Sequence, residues 1–213
     1  MRYRYVMFDL DGTLIDPLDD LTGAANAARH VVGLGPLTRE TVRGFVGDGL
    51  AAFMQRCVPA ELIDRATPVF KAHYAEHLTD RTRLYPGVQE TLRRLVAAGG
   101  RLAVVSNKPT LFTQRIVEEL GLHALLTAVF GGDSLPQRKP APEPYLKALE
   151  ALGGSKAQAL VVGDGPQDIR SARAGGLTVC GVLYGMGQPD EIRALQPDYL
   201  IERIEQLETV ATG

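Results

Sequence analysis

The 213-residue sequence has no tryptophan, only two cysteines, and just 6% aromatic residues. Cys57 and Cys180 belong to no CxxC pair, so the chain can form at most one disulfide and carries neither a disulfide scaffold nor a cysteine-rich zinc cluster. Cys180, inside the apolar run Leu177 to Leu183, reads as a buried thiol. An excess of one charge is also missing. The 23 basic residues are scattered and stand against 25 acidic ones, a net charge of −2. Nucleic acid requires a basic stripe that neutralises successive phosphates, so no nucleic-acid partner is expected. No apolar run approaches the roughly 20 residues of a membrane helix. The N-terminal MRYRYVMFDLD enters an acidic loop without the long apolar segment and small-residue cleavage site of a leader. A cytoplasmic protein with no membrane partner is the expectation. His30, His73, His77 and His123 lack zinc-ligand spacing, and no Gly-rich loop ends in GK[ST], which removes P-loop chemistry.

What is present is an alternating pattern on a 45% hydrophobic background. Apolar runs at Tyr3 to Phe8, Leu102 to Val105, Val129 to Phe130, Ala159 to Val162 and Thr178 to Leu183 predict strands. They show little polar alternation, as strands covered on both faces should. Between them, Val88, Leu92, Leu95 and Val96 share a helical face. So do Leu111, Ile116, Val117 and Leu120, and then Tyr145, Leu146, Leu149 and Leu152. Glycines at 99–100, 121, 153–154 and 175–176 fall where these helices should end. The pattern predicts an α/β fold with a parallel sheet and ligands at the carboxyl ends of its strands. Residues 17–83 break the rhythm. Helical stretches at Leu21 to Val32, Arg39 to Arg56 and Pro59 to Leu78, without a convincing strand, predict an all-helical cap inserted after the first acidic loop. This assigns 1–16 and 84–213 to the core and 17–83 to the cap.

Four polar stations stand out, three at the ends of predicted strands and one, Arg138-Lys139-Pro140, ahead of the helix beginning near Pro142. At Asp9-Leu10-Asp11-Gly12-Thr13, carboxylates two residues apart can address one site, and a divalent cation would relieve their repulsion. Solvated loop charges or a bare metal site explain that pair equally well. An EF-hand does not, because Leu14 stands where its glycine should be. Ser106-Asn107 offers a hydroxyl and a following backbone N–H to a phosphate oxygen, or else an ordinary helix cap. Lys139 offers a compact positive charge, or is a surface lysine. Asp164 can ligate a metal and Asp168, one turn on, can support it, although an Asx-turn and a helix-start charge account for the same residues. Four such stations across about 160 residues converge only if one sheet gathers them.

FDLDGTLID at 8–16, VVSNKP at 104–109, GGDSLPQRKPAPEPYLKAL at 131–149 and VVGDGPQDIRSARAGG at 161–176 resemble the haloacid dehalogenase superfamily. The likeness is to its helically capped phosphatases, and within them to the bacterial phosphoglycolate phosphatase branch. The resemblance implies a Rossmann-like core and a small phosphorylated metabolite as partner. It implies Asp9 as nucleophile, Asp11 as general acid/base, and Ser106, Asn107 and Lys139 at the phosphoryl group. It further implies Mg²⁺ on Asp9, Asp164 and the Asp11 backbone carbonyl, with Asp168 in support. Gly165, Gln167 and Ala141 depart from residues common in relatives (Ser, Asn and His) without removing an essential charge. Other small phosphates, and a phosphomutase of the β-phosphoglucomutase kind, remain open. In the cap, Arg43 and the loop Val46-Gly47-Asp48-Gly49 resemble a substrate-facing segment, while a plain interhelical turn and a solvated arginine fit them as well. A monomer and a homodimer are both compatible with this sequence.

Overall fold

The computed structural model describes residues 1–213. Strand β1 (Tyr5–Phe8) is followed by a two-residue strand β2 (Ile15–Asp16). Four α-helices come next: α1 (Leu18–Val31), α2 (Arg39–Arg43), α3 (Leu50–Cys57) and α4 (Ile63–Glu76). The chain returns through β3 (Arg83–Leu84), which pairs antiparallel with β2. Helix and strand then alternate as α5 (Val88–Ala97), β4 (Arg101–Val105), α6 (Thr110–Glu119), β5 (Ala128–Phe130), α7 (Glu143–Ala151) and β6 (Ala159–Gly163). They continue as α8 (Pro166–Ala174), β7 (Thr178–Val182), α9 (Pro189–Ala194), β8 (Tyr199–Ile201) and α10 (Leu207–Thr212).

Six strands form one parallel sheet in the order β5-β4-β1-β6-β7-β8. Its apolar strands alternate between two cores instead of between core and water. Val6, Phe8, Leu102, Val104, Leu160 and Val162 face the core shared with α5, α6 and α10. Met7, Ala103, Val105, Ala159 and Val161 face the one shared with α7 and α8. That is why the sequence runs are continuous: both faces are dry. β1 sits between β4 and β6 in register, Phe8 opposite Val104 and Val162, so the three chains leave the sheet side by side.

The α/β sheet with an all-helical insert agrees with the pattern, but several details differ. β8 and the β2–β3 pair were not anticipated. The helical stretch from Arg39 to Arg56 is two helices joined through the turn expected at 46–49, where Gly47 (φ 124°) and Gly49 (φ 85°) take backbone angles other residues avoid. Leu111 is 63% exposed and Val96 37%, with Phe112 taking the inward position assigned to Leu111. Inside the insert, α1 packs on α4. An aromatic series runs Phe45, Phe53, Phe70, Tyr74 and ends on Phe112 of α6, with neighbouring centroids 5.2–6.3 Å apart. At the insert's base, buried Asp20 accepts hydrogen bonds from Arg81 N, Thr82 N and Thr82 Oγ1, tying the entering helix to the returning strand.

Candidate active site

The turn after β1 closes on one carbonyl: Leu10 O accepts from the N–H groups of Thr13, Leu14 and Ile15. Gly12, at φ +90°, lies against the Asp164 carboxylate so closely that a Cβ there would collide with it. Two remote stations therefore meet because one residue has no side chain.

Asp9, Asp164 and Asp168 are all buried, and each brings an oxygen within 4.8 Å of the others. Lys139 joins them. Its Nζ donates to Asp9 Oδ1 at 2.6 Å, Asp168 Oδ1 at 2.7 Å and Val105 O at 2.8 Å. Asp168 also accepts from Tyr145 OH at 2.8 Å and from Gly165 N at 3.1 Å. Asp164 Oδ2 accepts from the backbone of Met186 at 2.8 Å and of Gly187 at 3.1 Å.

One ammonium among three buried carboxylates leaves the cluster electron-rich. Burial pushes Asp9 well above the usual carboxylate range; Asp168 and Asp164 add to this, and Lys139 offsets only part. Burial and then Asp168 push Asp164 up to about 7, against the Met186 and Gly187 N–H groups. Lys139 keeps its proton because Asp168 and Asp9 outweigh the cost of its burial. An all-oxygen donor set with surplus negative charge fits a hard divalent cation, and the absence of His and Cys ligands disfavours softer metals.

Asp11 turns away from this cluster towards the insert. Its Oδ1 accepts from Lys108 Nζ at 2.6 Å, and the same ammonium donates to Tyr74 OH at 2.8 Å. Lys108 is buried and stays charged because Asp11 and the Tyr74 hydroxyl outweigh desolvation. A cavity of about 50 Å³ lies between core and insert, with Asp9, Asp11, Ser106 and Lys108 on the core side. Leu21, Leu50, Phe53, Phe70 and Tyr74 of the insert form the opposite wall.

Ser106 Oγ accepts from Lys108 N at 3.2 Å, which leaves its O–H free to donate. It caps no helix, since α6 starts after Pro109 without a side-chain cap. The other expectations need refinement. Lys139 has three protons and all are spent on protein acceptors, so it contributes charge without a spare donor for a phosphoryl oxygen. The Asn107 side chain is likewise committed: Nδ2 donates to Gly47 O and Lys139 O, and Oδ1 accepts from Lys139 N. Only its backbone N–H remains available. Arg43 donates to Gly185 O at 2.7 Å and Met186 O at 3.2 Å and lines not this cavity but a neighbouring one of about 160 Å³, together with Asp11 and Asp164. Asp48 is exposed and paired with Arg56, whereas Gly47 and Gly49 do line the cavity. The turn at 46–49 thus touches the core instead of only linking helices. Both cysteines are buried and unpaired, with burial raising each thiol to about 12, so neither serves as a nucleophile at neutral pH. Lys108 and Tyr74 were missed. The signal for Lys108 lay in its place three residues after the β4 strand end, but a lone lysine is by default a surface residue.

A wider cleft of about 720 Å³ opens past Asn107 and Phe112 towards Lys71 and Arg138, but it includes neither Asp9 nor Asp11. No helix is long and apolar enough to cross a membrane.

Residues 6–182 match the family described as haloacid dehalogenase-like hydrolase. A phosphoglycolate phosphatase of Chromobacterium violaceum is 37% identical over 212 residues, covering 96% of this chain and 94% of its own. One from Psychrobacter arcticus is 36% identical over 208 residues, covering 92% and 90%. The crystal structure of a predicted phosphoglycolate phosphatase from Haemophilus somnus 129pt superposes with a TM-score of 0.92 at 33% identity, covering 99% of this chain and 98% of that one.

Proposed function

The chain belongs to the haloacid dehalogenase-like hydrolase family and is a phosphoric monoester hydrolase, and from that footing we propose that it cleaves 2-phosphoglycolate to glycolate and phosphate. Residues 17–83 are taken as its cap and the remainder as its catalytic core. The observation that carries the substrate reading is the small cavity joining Asp9 to Asp11. The insert side chains Leu21, Leu50, Phe53, Phe70 and Tyr74 close it opposite Asp11, a tight wall that favours a short leaving group over a hexose or a nucleoside.

In this reading Asp9 attacks phosphorus. Lys139 holds Oδ1, and Oδ2, which has no protein donor, is the nucleophilic atom. The bond from phosphorus to the glycolate oxygen breaks as Asp11, entering the step protonated on Oδ2 with Lys108 holding Oδ1, delivers that proton to the oxygen and is left as the carboxylate. Asp11 then takes a proton from the water that attacks the aspartyl phosphate, and inorganic phosphate leaves. The Ser106 hydroxyl and the Asn107 N–H donate to phosphoryl oxygens, and Lys139 balances charge. Mg²⁺, held by Asp9, Asp164 and the Asp11 carbonyl with Asp168 beside them, would supply charge compensation between the carboxylates and the substrate. The insert, latched over the site, excludes water from the first step.

The test is phosphate release from 2-phosphoglycolate, glucose 6-phosphate, nucleoside monophosphates and pyrophosphate, with Mg²⁺ and after EDTA. The highest kcat/KM is expected for 2-phosphoglycolate, with activity lost on chelation. A better sugar phosphate, or isomerisation without phosphate release, overturns the reading.

A further inference from the structure

Resting on the substrate reading above, we propose that Lys108 recognises the leaving group, making the enzyme selective for phosphate monoesters whose alcohol carries a carboxylate beside the ester carbon. An ammonium has three protons. Those of Lys139 are all accepted by the protein, whereas Lys108 donates to Asp11 Oδ1 and Tyr74 OH only. One proton of a buried ammonium, 7% exposed, is therefore without a protein acceptor on the wall of the reaction cavity. Leaving such a donor unmet is costly unless a ligand or water meets it.

Its position selects the ligand. Asp11 is the group assigned to the leaving oxygen, and Lys108 Nζ lies 2.6 Å from it, so the ammonium reaches whatever is bonded next to that oxygen. Lys108 is the sole cation lining the cavity, whose remaining insert wall is largely apolar. Of the arginines nearby, Arg43 is committed to the carbonyls of Gly185 and Met186 and Arg56 to Asp48, while Arg138, behind Gly49, lines the wider cleft and not this cavity. A neutral polyol would find few partners on such a wall. A single carboxylate would find one strong one. Tyr74 holds the ammonium in place through its hydroxyl.

The experiment compares 2-phosphoglycolate with ethyl phosphate, which keeps the two-carbon alkoxide and lacks the carboxylate. In the wild type, kcat/KM should favour 2-phosphoglycolate. Lys108→Met should lower the ratio of the two kcat/KM values by roughly 10- to 100-fold, the loss typical of a charged hydrogen bond, mainly through KM for 2-phosphoglycolate. Any damage to Asp11 chemistry affects both substrates and cancels in the ratio. Lys108→Arg should restore part of the preference. Tyr74→Phe, which removes only the orienting hydroxyl, should erode it a few-fold, and it carries the test if Lys108→Met does not fold. A preference that survives these variants overturns the role of Lys108 alone. A wild type that does not prefer 2-phosphoglycolate overturns the substrate reading as well.

Discussion

Asp9 and Asp11 leave the same strand end two residues apart, yet the structure gives them different surroundings. Asp9 is held by Lys139 within the carboxylate cluster, while Asp11 is held by Lys108 on the cavity wall. Their substitutions should therefore fail differently. Asp9→Asn is expected to abolish protein-bound phosphate and to reduce turnover by roughly 10⁴-fold or more, since the amide is a poor nucleophile. Asp11→Asn should still be phosphorylated by p-nitrophenyl phosphate, whose leaving group needs little protonation. It should lose about 10²- to 10⁴-fold in the first step with 2-phosphoglycolate. Rapid-quench detection of acid-stable phosphoprotein checks both, and an Asp9→Asn protein that accumulates phosphate would refute the assignment. Residue types at strand ends made these two aspartates legible, along with Ser106, Asp164 and Asp168, and Lys139 stood out ahead of α7. Lys108 was not legible, because whether a lysine after a strand turns in or out depends on the partner awaiting it. Its partner Tyr74 is 34 residues away in the insert.

Elements determine how the insert meets the sheet. Arg43 at the end of α2 donates to Gly185 O and Met186 O, in the same loop whose Met186 and Gly187 N–H groups hold Asp164 Oδ2. Closure of the insert and placement of a cluster carboxylate therefore share three consecutive residues. A second latch runs from Asn107 Nδ2 to Gly47 O at 2.9 Å. Arg43→Ala should weaken the closed arrangement by two hydrogen bonds, lowering kcat/KM by roughly 10-fold or more for every substrate alike. It should also speed amide exchange at residues 44–49 and 185–187. Unchanged exchange there would rule out the latch. None of this was readable beforehand, since a helical arginine with carbonyl partners 142 and 143 positions away has the same local pattern as a solvated one. Helix faces were legible where heptad-like spacing was clean, as at Val88, Leu92 and Leu95. They were misjudged at Leu111, where Phe112 packs against Tyr74 of the insert.

At the scale of the whole molecule, a parallel sheet was implied by the alternation of strand and helix, and the gathering of the stations by that sheet, but not the order of its strands. What the alternation could not convey is the cost of the gathering. Three carboxylates with one lysine are brought into a dry site, and Asp164 rises from 3.8 to about 7. The sign of the consequence follows from linkage. Between those two values the folded protein keeps a proton that the unfolded chain has released, so this group makes the metal-free protein less stable as pH rises through that window. Mg²⁺ binds the ionised cluster and must displace the proton at low pH. The gain in Tm from millimolar Mg²⁺ should therefore be large at about pH 8 and small at about pH 5.5, with apparent affinity falling roughly 30-fold for one displaced proton. Asp164→Asn sharpens the test. Its remaining oxygen can still accept from Met186 and Gly187, but the charge is gone. That variant should melt higher than the metal-free wild type at about pH 8, show little Mg²⁺ response, and have almost no activity. Scanning calorimetry with and without Mg²⁺ at the two pH values reads all of this. A Mg²⁺ response equal at both, or undiminished in Asp164→Asn, would mean that the cation binds somewhere other than this cluster.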